Sequence, residues 1–159
     1  MSEQTHSREI TITRIFDAPR ELVFEAWTNP KHLAAWWGPS AFTNPLCEAD
    51  ARPGGKYHIV MRANDEVAAI MGRDHPCGGE YIEVVRPSRL VFTNNALDAE
   101  DNIVLEGLTT VTFEEFGSKT RMTMQTRAAG QGAHVQAMLD GMHQGWSESF
   151  DKLERFLAG

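Results

Sequence analysis

A long apolar stripe near the carboxyl end constrains the fold of this chain more than any other feature. After the helix breakers Gly130 and Gly132, apolar residues recur at helical spacing and occupy about a third of the helical wheel. The stripe consists of Val135, Met138, Leu139, Met142, Trp146, Phe150, Leu153, Phe156 and Leu157. A stripe roughly seven turns long cannot be left in water, so a large surface elsewhere in the chain must cover it. The sequence therefore predicts one long C-terminal helix packed against the rest of the chain.

The covering surface is predicted to be a β-sheet. Between Leu46 and Arg127, short β-type runs separated by turn residues indicate an antiparallel meander of about six strands, with one turn near Asn64-Asp65. Side chains alternate along a strand, so residues of one parity should face the helix. This predicted inner face comprises Tyr57, Ile59, Met61, Leu90, Phe92, Asn94, Leu105, Thr109, Val111, Phe113, Met122, Met124 and Thr126.

The segment before the sheet predicts one strand and two short helices. Residues 9–16 alternate apolar and polar side chains, Pro19 suits the first turn of a helix, and Asn29 caps a second helix. Residues 1–8 are predicted to be a flexible N-terminus and residues 9–159 a single domain. The predicted fold class is α+β, a curved antiparallel sheet wrapped around a long C-terminal helix.

Composition and charge exclude several classes of function. With 22 acidic against 15 basic residues, the net charge is -7, and no Lys/Arg cluster is present that could bind nucleic acid. Neither a secretory signal nor a run of about 18 apolar residues occurs, so we expect a soluble, cytoplasmic protein without a membrane span. Cys47 and Cys77 are expected to be reduced thiols.

Motifs spread along nearly the whole chain resemble one known family. In order they are Ala18-Pro19, Val23-Phe24, Trp36-Trp37-Gly38-Pro39, Pro53-Gly54-Gly55, Gly79 with Tyr81 and Glu83, Pro87 with Arg89-Leu90-Val91, Val111-Thr112-Phe113, Thr120, and Gly145-Trp146 with Leu153. They resemble the activator of Hsp90 ATPase homologue 1-like family of the START-like, or Bet v 1-like (SRPBCC), superfamily. The resemblance implies a START-like domain with the helix-grip fold and an apolar cavity between the sheet and the C-terminal helix.

The resemblance leaves three functions open. The first is a small-molecule binding protein, because relatives bind lipids, hormones and polyketides; its ligand would be lipid-like or an aromatic, polyketide-like compound. The second is an enzyme of the cyclase or hydrolase type using the same cavity, although the family pattern supplies no catalytic residues and no cofactor is expected.

The third is an Hsp90-type co-chaperone or ATPase-activator domain. We rank it last, because the eukaryotic co-chaperone contacts Hsp90 largely through a separate N-terminal domain, whereas eight residues precede the first predicted strand here. Homodimer formation through an exposed apolar patch is a further alternative.

The predicted ligand-binding residues are apolar and aromatic side chains expected inside the cavity, where they would give a flat or flexible ligand adaptable contact. They are Trp36, Trp37, Tyr57, Ile59, Met61, Tyr81, Phe92, Val111, Phe113, Met122, Met124, Met138, Met142 and Trp146. Plain core packing is the alternative for each of them. A hydroxyl of Tyr57 or Tyr81, or an inward carboxylate of Glu83, could orient the ligand.

No metal centre is predicted. His58, His75 and Cys77 could bind a metal only if all three converged, and their spacing matches no established zinc pattern. A polar loop with an X-Pro turn explains the last two better.

The C-terminal helix carries two further patterns. Asp140, His143 and Ser147 are neighbours at helical steps, but they lie away from the apolar stripe and are typical of a solvated face. Gly141 and Gly145 each cost up to about 1 kcal/mol relative to alanine inside a helix. Either another segment approaches the helix closely there, or, as we favour, the helix bends to make room for a cavity.

Overall fold

Eight antiparallel strands within residues 5–159 form one sheet that packs against the C-terminal helices. The structure of the protein is a computed structural model, and it describes residues 5–159 apart from the side chain of Ala133. The elements in chain order are β1 (Thr5–Phe16), α1 (Arg20–Thr28), α2 (Pro30–Trp36), β2 (Phe42–Ala49), β3 (Lys56–Ala63), α3 (Asp65–Met71), β4 (Asp74–Val85), β5 (Arg89–Thr93), β6 (Asn95–Leu97), β7 (Ile103–Phe116), β8 (Lys119–Gln131), α4 (Ala133–Asp140) and α5 (Met142–Leu157).

The strand order is β1-β8-β7-β5-β4-β3-β2, and the short strand β6 pairs with both β4 and β7. The first and last strands lie side by side along their whole length, from Thr5 opposite Gln131 to Phe16 opposite Thr120. Helix α5 contacts β1, α1 and α2, so the helices and the sheet enclose a shared core. This arrangement confirms the predicted α+β helix-grip fold.

Alternation along the strands places the predicted inner face in the core. Ile59, Leu90, Val111, Met122 and Met124 have no exposed surface. Register is strongly specified here, because a slip of one residue would turn every one of these side chains outward.

Helix α2 begins at the cap that the sequence predicts, whereas α1 begins one residue after Pro19, which was predicted to lie in its first turn. Pro19 immediately precedes α1, and the Asn29 side chain accepts a hydrogen bond of 2.9 Å from the Lys31 N–H at the start of α2. The buried Trp27 of α1 donates its indole N–H to the sulfur of Met122, 3.3 Å away. This contact joins α1 to β8.

The amino-terminal boundary and the start of the meander differ from the prediction. Strand β1 begins at Thr5, ahead of the predicted start at Glu9. Residues 1–4 of the predicted flexible segment lie outside the described residues. The stretch from β2 to β8 contains seven strands where six were predicted, because the short β6 interrupts the loop after β5.

The predicted turn at Asn64-Asp65 is the start of helix α3 instead. The Asn64 side chain accepts a hydrogen bond of 3.0 Å from the Val67 N–H, and Asp65 and Glu66 lie in the first turn. A cap followed by two acidic residues favours a helix start, because both complement the free N–H groups there. The sequence prediction stopped at the turn signal and missed this cap.

The predicted single C-terminal helix is divided in two at Gly141. The Gly141 N–H still bonds to the Ala137 carbonyl at 3.3 Å, but α4 ends at Asp140 and α5 begins at Met142. The break agrees with the expected bend at this glycine. The apolar stripe nevertheless continues across it, with Leu139 of α4 buried in the core.

Candidate functional site

An apolar pocket of about 220 Å³ lies between the start of α5 and the inner face of the sheet. The helix contributes Gly141, Met142, Gly145, Trp146 and Ser149. The sheet side contributes Met61, Cys77, Asn94, Ala96, Leu105, Gly107, Thr126 and Ala128, and the third side consists of Trp37, Gly38 and Pro39.

The pocket exists because small residues of the sheet face glycines of the helix. On the strands, the small residues Ala96, Gly107 and Ala128 leave open the space that larger side chains would fill. On the helical side, Gly141 and Gly145 leave the space open in the same way. A Cβ at Gly107 would lie only 2.4 Å from the Asn94 carbonyl oxygen, so no side chain fits there. Of the two sequence-based explanations for the helix glycines, the break applies at Gly141. A close approach does not explain Gly145, since a Cβ there would meet Pro39 Cγ at 3.5 Å, an ordinary van der Waals contact.

Aromatic packing holds two of the pocket walls in place. The rings of Trp37 and Trp146 meet edge to face with centroids 5.4 Å apart. Trp146 also stacks on the buried Trp27 at 6.1 Å. Both pocket-facing indoles are thus fixed from behind by the core, which favours a preformed surface.

Four polar side chains interrupt the apolar lining. The hydroxyls of Thr126 and Thr109 bond to each other at 2.8 Å, and the Ser149 hydroxyl donates to the Gly145 carbonyl at 3.2 Å. Both pairs are satisfied within the protein. The third and fourth side chains are those of Asn94 and Cys77.

Asn94 is the polar group best placed to meet a ligand. The Tyr57 hydroxyl donates to the Thr93 carbonyl at 2.9 Å and lies 3.2 Å from Asn94 Oδ1. The backbone N–H of Asn94 donates to the Gly107 carbonyl at 2.8 Å, but the N–H groups of its side-chain amide have no hydrogen-bond partner among the described residues, and Asn94 lines the pocket. They are therefore available to a ligand.

The titratable groups at the pocket stay neutral. Burial raises the pKa of the Cys77 thiol to about 12 and raises the pKa of the adjacent Tyr57 well above its ordinary value. Of the described residues that line the pocket, none is a carboxylate, histidine, lysine or arginine. The carboxylate of Glu83, the candidate for an inward acid, instead accepts a hydrogen bond of 3.0 Å from Arg89 and is partly exposed. The site thus offers shape and one free amide, without an acid-base pair.

The predicted ligand-binding residues divide into three groups. Trp37, Met61, Met142 and Trp146 line the pocket. Tyr57, Ile59, Tyr81 and Phe92 surround a void of about 10 Å³ behind Trp37, which is barely enough for one water molecule. Trp36, Val111, Phe113, Met122 and Met124 are buried in the core, and Met138 is half-buried on α4.

Sequence reasoning did not select Asn94, Ala96, Gly107, Thr126 or Ala128 as site residues. It had placed Asn94 and Thr126 on the inner face, but without a ligand role. A usable signal was present, because small or polar residues at inward positions of a sheet leave space that large apolar residues would fill.

The candidate metal ligands do not converge. His75 Nε2 lies 3.0 Å from the Gly72 carbonyl oxygen, and His58 lies 3.7 Å from Asp101. Cys77 is buried beside the apolar pocket instead. Within residues 5–159 there is no group of three side chains that could hold a metal ion.

The two cysteines are free thiols on strands separated by β3. Cys47 and Cys77 both lie opposite Ile59, one on each side of it. Two strand spacings amount to about 10 Å, which is beyond the reach of a disulfide. On the C-terminal helices, Asp140 pairs with Arg8 at 2.9 Å on the exposed face, as expected of a solvated side. No helix in the described part of the chain is long and apolar enough to cross a bilayer.

Comparison with solved structures finds the same fold in several bacterial proteins. A Chromobacterium violaceum protein is 26% identical, with a TM-score of 0.77 over 95% of this chain and 97% of that chain. A Rhizobium leguminosarum protein is 24% identical, with a TM-score of 0.83 over 99% of both chains. The AHSA1 protein of Silicibacter pomeroyi is 22% identical, with a TM-score of 0.77 over 95% of this chain and 98% of that chain.

No curated protein gives a significant match to the sequence. Residues 17–158, however, match the family described as activator of Hsp90 ATPase homolog 1-like protein. That match spans most of the sheet and all of the helices that enclose the pocket. The chain therefore belongs to the activator of Hsp90 ATPase homolog 1-like family.

Proposed function

We propose that this protein binds a small aromatic compound of one or two rings that carries one hydrogen-bonding group, and that it binds the compound without chemical conversion. The observation that carries the proposal is the lining of the pocket, which is apolar except for one free amide and three internally satisfied or neutral groups. Ligand sites are commonly apolar with a few placed polar groups that fix orientation.

The size of the pocket favours an aromatic ligand over a lipid. An apolar cavity of roughly 150 Å³ accommodates benzene, and drug-sized ligands need about 300 Å³ or more. A pocket of about 220 Å³ therefore suits one or two fused rings, whereas a long acyl chain would protrude into water. The indoles of Trp37 and Trp146 offer such rings edge and face contacts.

The absence of an acid-base pair at the pocket argues against the cyclase or hydrolase alternative. General acid-base catalysis needs a group whose pKa lies near the working pH. Burial moves the pKa of Cys77 in the opposite direction, to about 12. We therefore propose binding and not catalysis.

The test compares 2-naphthol with naphthalene by isothermal titration calorimetry. We expect both to bind, and 2-naphthol to bind roughly 2- to 10-fold more tightly, because one net hydrogen bond is worth about 0.5–1.5 kcal/mol. The Asn94→Leu variant keeps the shape of the side chain and should remove this preference while still binding naphthalene. Tyr57 keeps its bond to the Thr93 carbonyl in this variant.

A pocket-filling variant provides the second arm. Ala96→Leu places a larger side chain in the pocket and should abolish binding, whereas the same change at the exposed Ala69 of α3 should leave binding unchanged. Failure of both compounds to bind the wild type, or equal binding by Ala96→Leu, would contradict the proposal. In that case stimulation of Hsp90 ATPase activity would be the next measurement.

A further inference from the structure

One side of the pocket is formed by residues 37–42, the short connection between α2 and β2 together with the first residue of β2. We call these residues the wall segment. Trp37, Gly38 and Pro39 of this segment line the pocket. Gly38 has a φ of 90°, and a Cβ there would lie 2.8 Å from Met61 Sδ, so the segment sits closely against β3. Residues 37–41 form neither helix nor strand. Their position therefore depends on contacts with other elements.

Lys152 of α5 binds the backbone of the wall segment. Its ammonium group lies 3.3 Å from the Trp37 carbonyl oxygen, 3.2 Å from that of Pro39 and 3.2 Å from that of Phe42. An ammonium group has three protons to donate, so one is available for each carbonyl. A single side chain thus forms hydrogen bonds with the start, middle and end of the segment.

Glu148 binds the same segment from one turn earlier on α5. Its Oε1 accepts hydrogen bonds of 3.1 Å from both the N–H and the hydroxyl of Ser40. Its Oε2 accepts from the Gln144 side chain, also at 3.1 Å, which fixes the carboxylate on the helix. Pro39 also lies against α5 itself, because a Cβ at Gly145 would meet Pro39 Cγ at 3.5 Å.

The ends of the wall segment have additional anchors that its middle lacks. The Asn44 side chain donates to the Trp37 carbonyl at 2.8 Å, and the Asn64 N–H donates to the Ala41 carbonyl at 2.9 Å. The Pro39 carbonyl accepts a hydrogen bond of 3.0 Å from the Phe42 N–H at the end of the segment. Apart from that bond, residues 38–40 are hydrogen-bonded within residues 5–159 only to the two side chains of α5. The middle of the segment can therefore leave the pocket if those two side chains release it.

We infer that Lys152 and Glu148 are positioning residues that latch the wall segment over the pocket and set the rate at which a ligand enters and leaves. The inference rests on the proposed function, because it concerns access to the same pocket. The latch is built from two half-buried charged side chains of α5, and neither belongs to the apolar core behind the pocket. Its loss should therefore leave that core intact.

The test uses Lys152→Met, which keeps an unbranched apolar stem but removes all three donors. The matched control is Arg14→Met, because Arg14 ties α5 to β1 through the Ser147 carbonyl at 3.1 Å and Asp151 at 2.8 Å without touching the pocket. In the ligand-free proteins, hydrogen exchange at the Ser40 amide should be at least about tenfold faster in Lys152→Met than in the control. Lys152 does not contact that amide, so faster exchange there reports movement of the segment.

The second readout is the dissociation rate of 2-naphthol, followed by tryptophan emission in a stopped-flow instrument. We expect a rate about tenfold higher in Lys152→Met and an unchanged rate in Arg14→Met. If the Met variant does not fold, Lys152→Gln, which retains one donor-bearing group, replaces it and should show a smaller change in the same direction.

Unchanged exchange at Ser40 in the Lys152 variant would overturn the latch, as would an equal rise throughout the chain in both variants. Faster exchange confined to the wall segment, with no 2-naphthol binding to any variant, would support the latch and refute the proposed ligand. The two failures are therefore distinguishable.

Discussion

Replacing Gly145 with alanine should stabilise the protein and at the same time weaken ligand binding. Gly145 lies inside α5, where glycine costs about 0.8–1.0 kcal/mol relative to alanine. The added methyl group would approach Pro39 Cγ to 3.5 Å, which is an ordinary van der Waals contact. Nothing in the structure offsets the helix gain, so the melting temperature should rise by about 2–4 °C for a chain of this size.

The same change at Gly107 is the control, since it should have the opposite sign. A methyl group there would lie 2.4 Å from the Asn94 carbonyl oxygen, which belongs to the backbone and cannot rotate away. Overpacking of this kind typically costs about 1–3 kcal/mol. The melting temperature and the free energy of unfolding of both variants should be measured by thermal and urea unfolding, with circular dichroism as the signal.

Calorimetry with 2-naphthol completes the experiment. Gly145 lines the pocket, so the alanine variant should bind more weakly although it unfolds at a higher temperature. A lower melting temperature for Gly145→Ala would show that Pro39 leaves no room for the methyl group, and wild-type stability for Gly107→Ala would refute the close contact between Gly107 and the Asn94 backbone.

Two further predictions concern titration and thiol chemistry. Hydrogen bonds from Gln144 and Ser40 lower the pKa of Glu148 below its ordinary value of 4.5, so the stability they confer is complete above that value and is lost as the pH falls through the lower, folded-state pKa. The difference in urea-unfolding free energy between the wild type and Glu148→Gln should therefore shrink on acidification, and a constant difference from pH 7 to about pH 3 would contradict the assignment. Burial raises the pKa of Cys47 to about 11 and that of Cys77 to about 12, so both should react slowly with a thiol reagent at neutral pH. The buried Cys77 should react more slowly than the half-buried Cys47 and reach full rate only after guanidinium unfolding; rapid reaction of Cys77 in the native protein would show that it is not enclosed.

Much of the fold could be predicted from the sequence because local signals and burial agree. Alternation along the strands identified inner-face residues such as Val111 and Met124, which are fully buried. Asn29 was correctly placed as a helix cap. Helix α3 was missed because Asn64-Asp65 suits both a turn and a helix start, and only the residues that follow decide between them.

The pocket was harder to predict because it depends on residues that have small side chains or none. Large apolar residues on an inner face are natural candidates for ligand contacts, yet most of those proposed, such as Phe113, are buried in the core. The space itself is left by Gly107 and Ala128 opposite Gly145, and their pairing follows only from the three-dimensional packing. Lys152 was not predicted to act at the pocket either, since a lysine on a helix is normally solvated.

The pairing of β1 with β8 also determines when the protein can complete its fold. Thr5 meets Gln131 in this ladder, so the strand synthesised first waits for a partner that lies near the other end of the chain. Loop-closure entropy must be overcome before such distant contacts form, and sheets dominated by them fold in milliseconds to seconds rather than microseconds. During translation, β1 therefore leaves the ribosome with both edges unpaired, and the late arrival of β8 covers one of them.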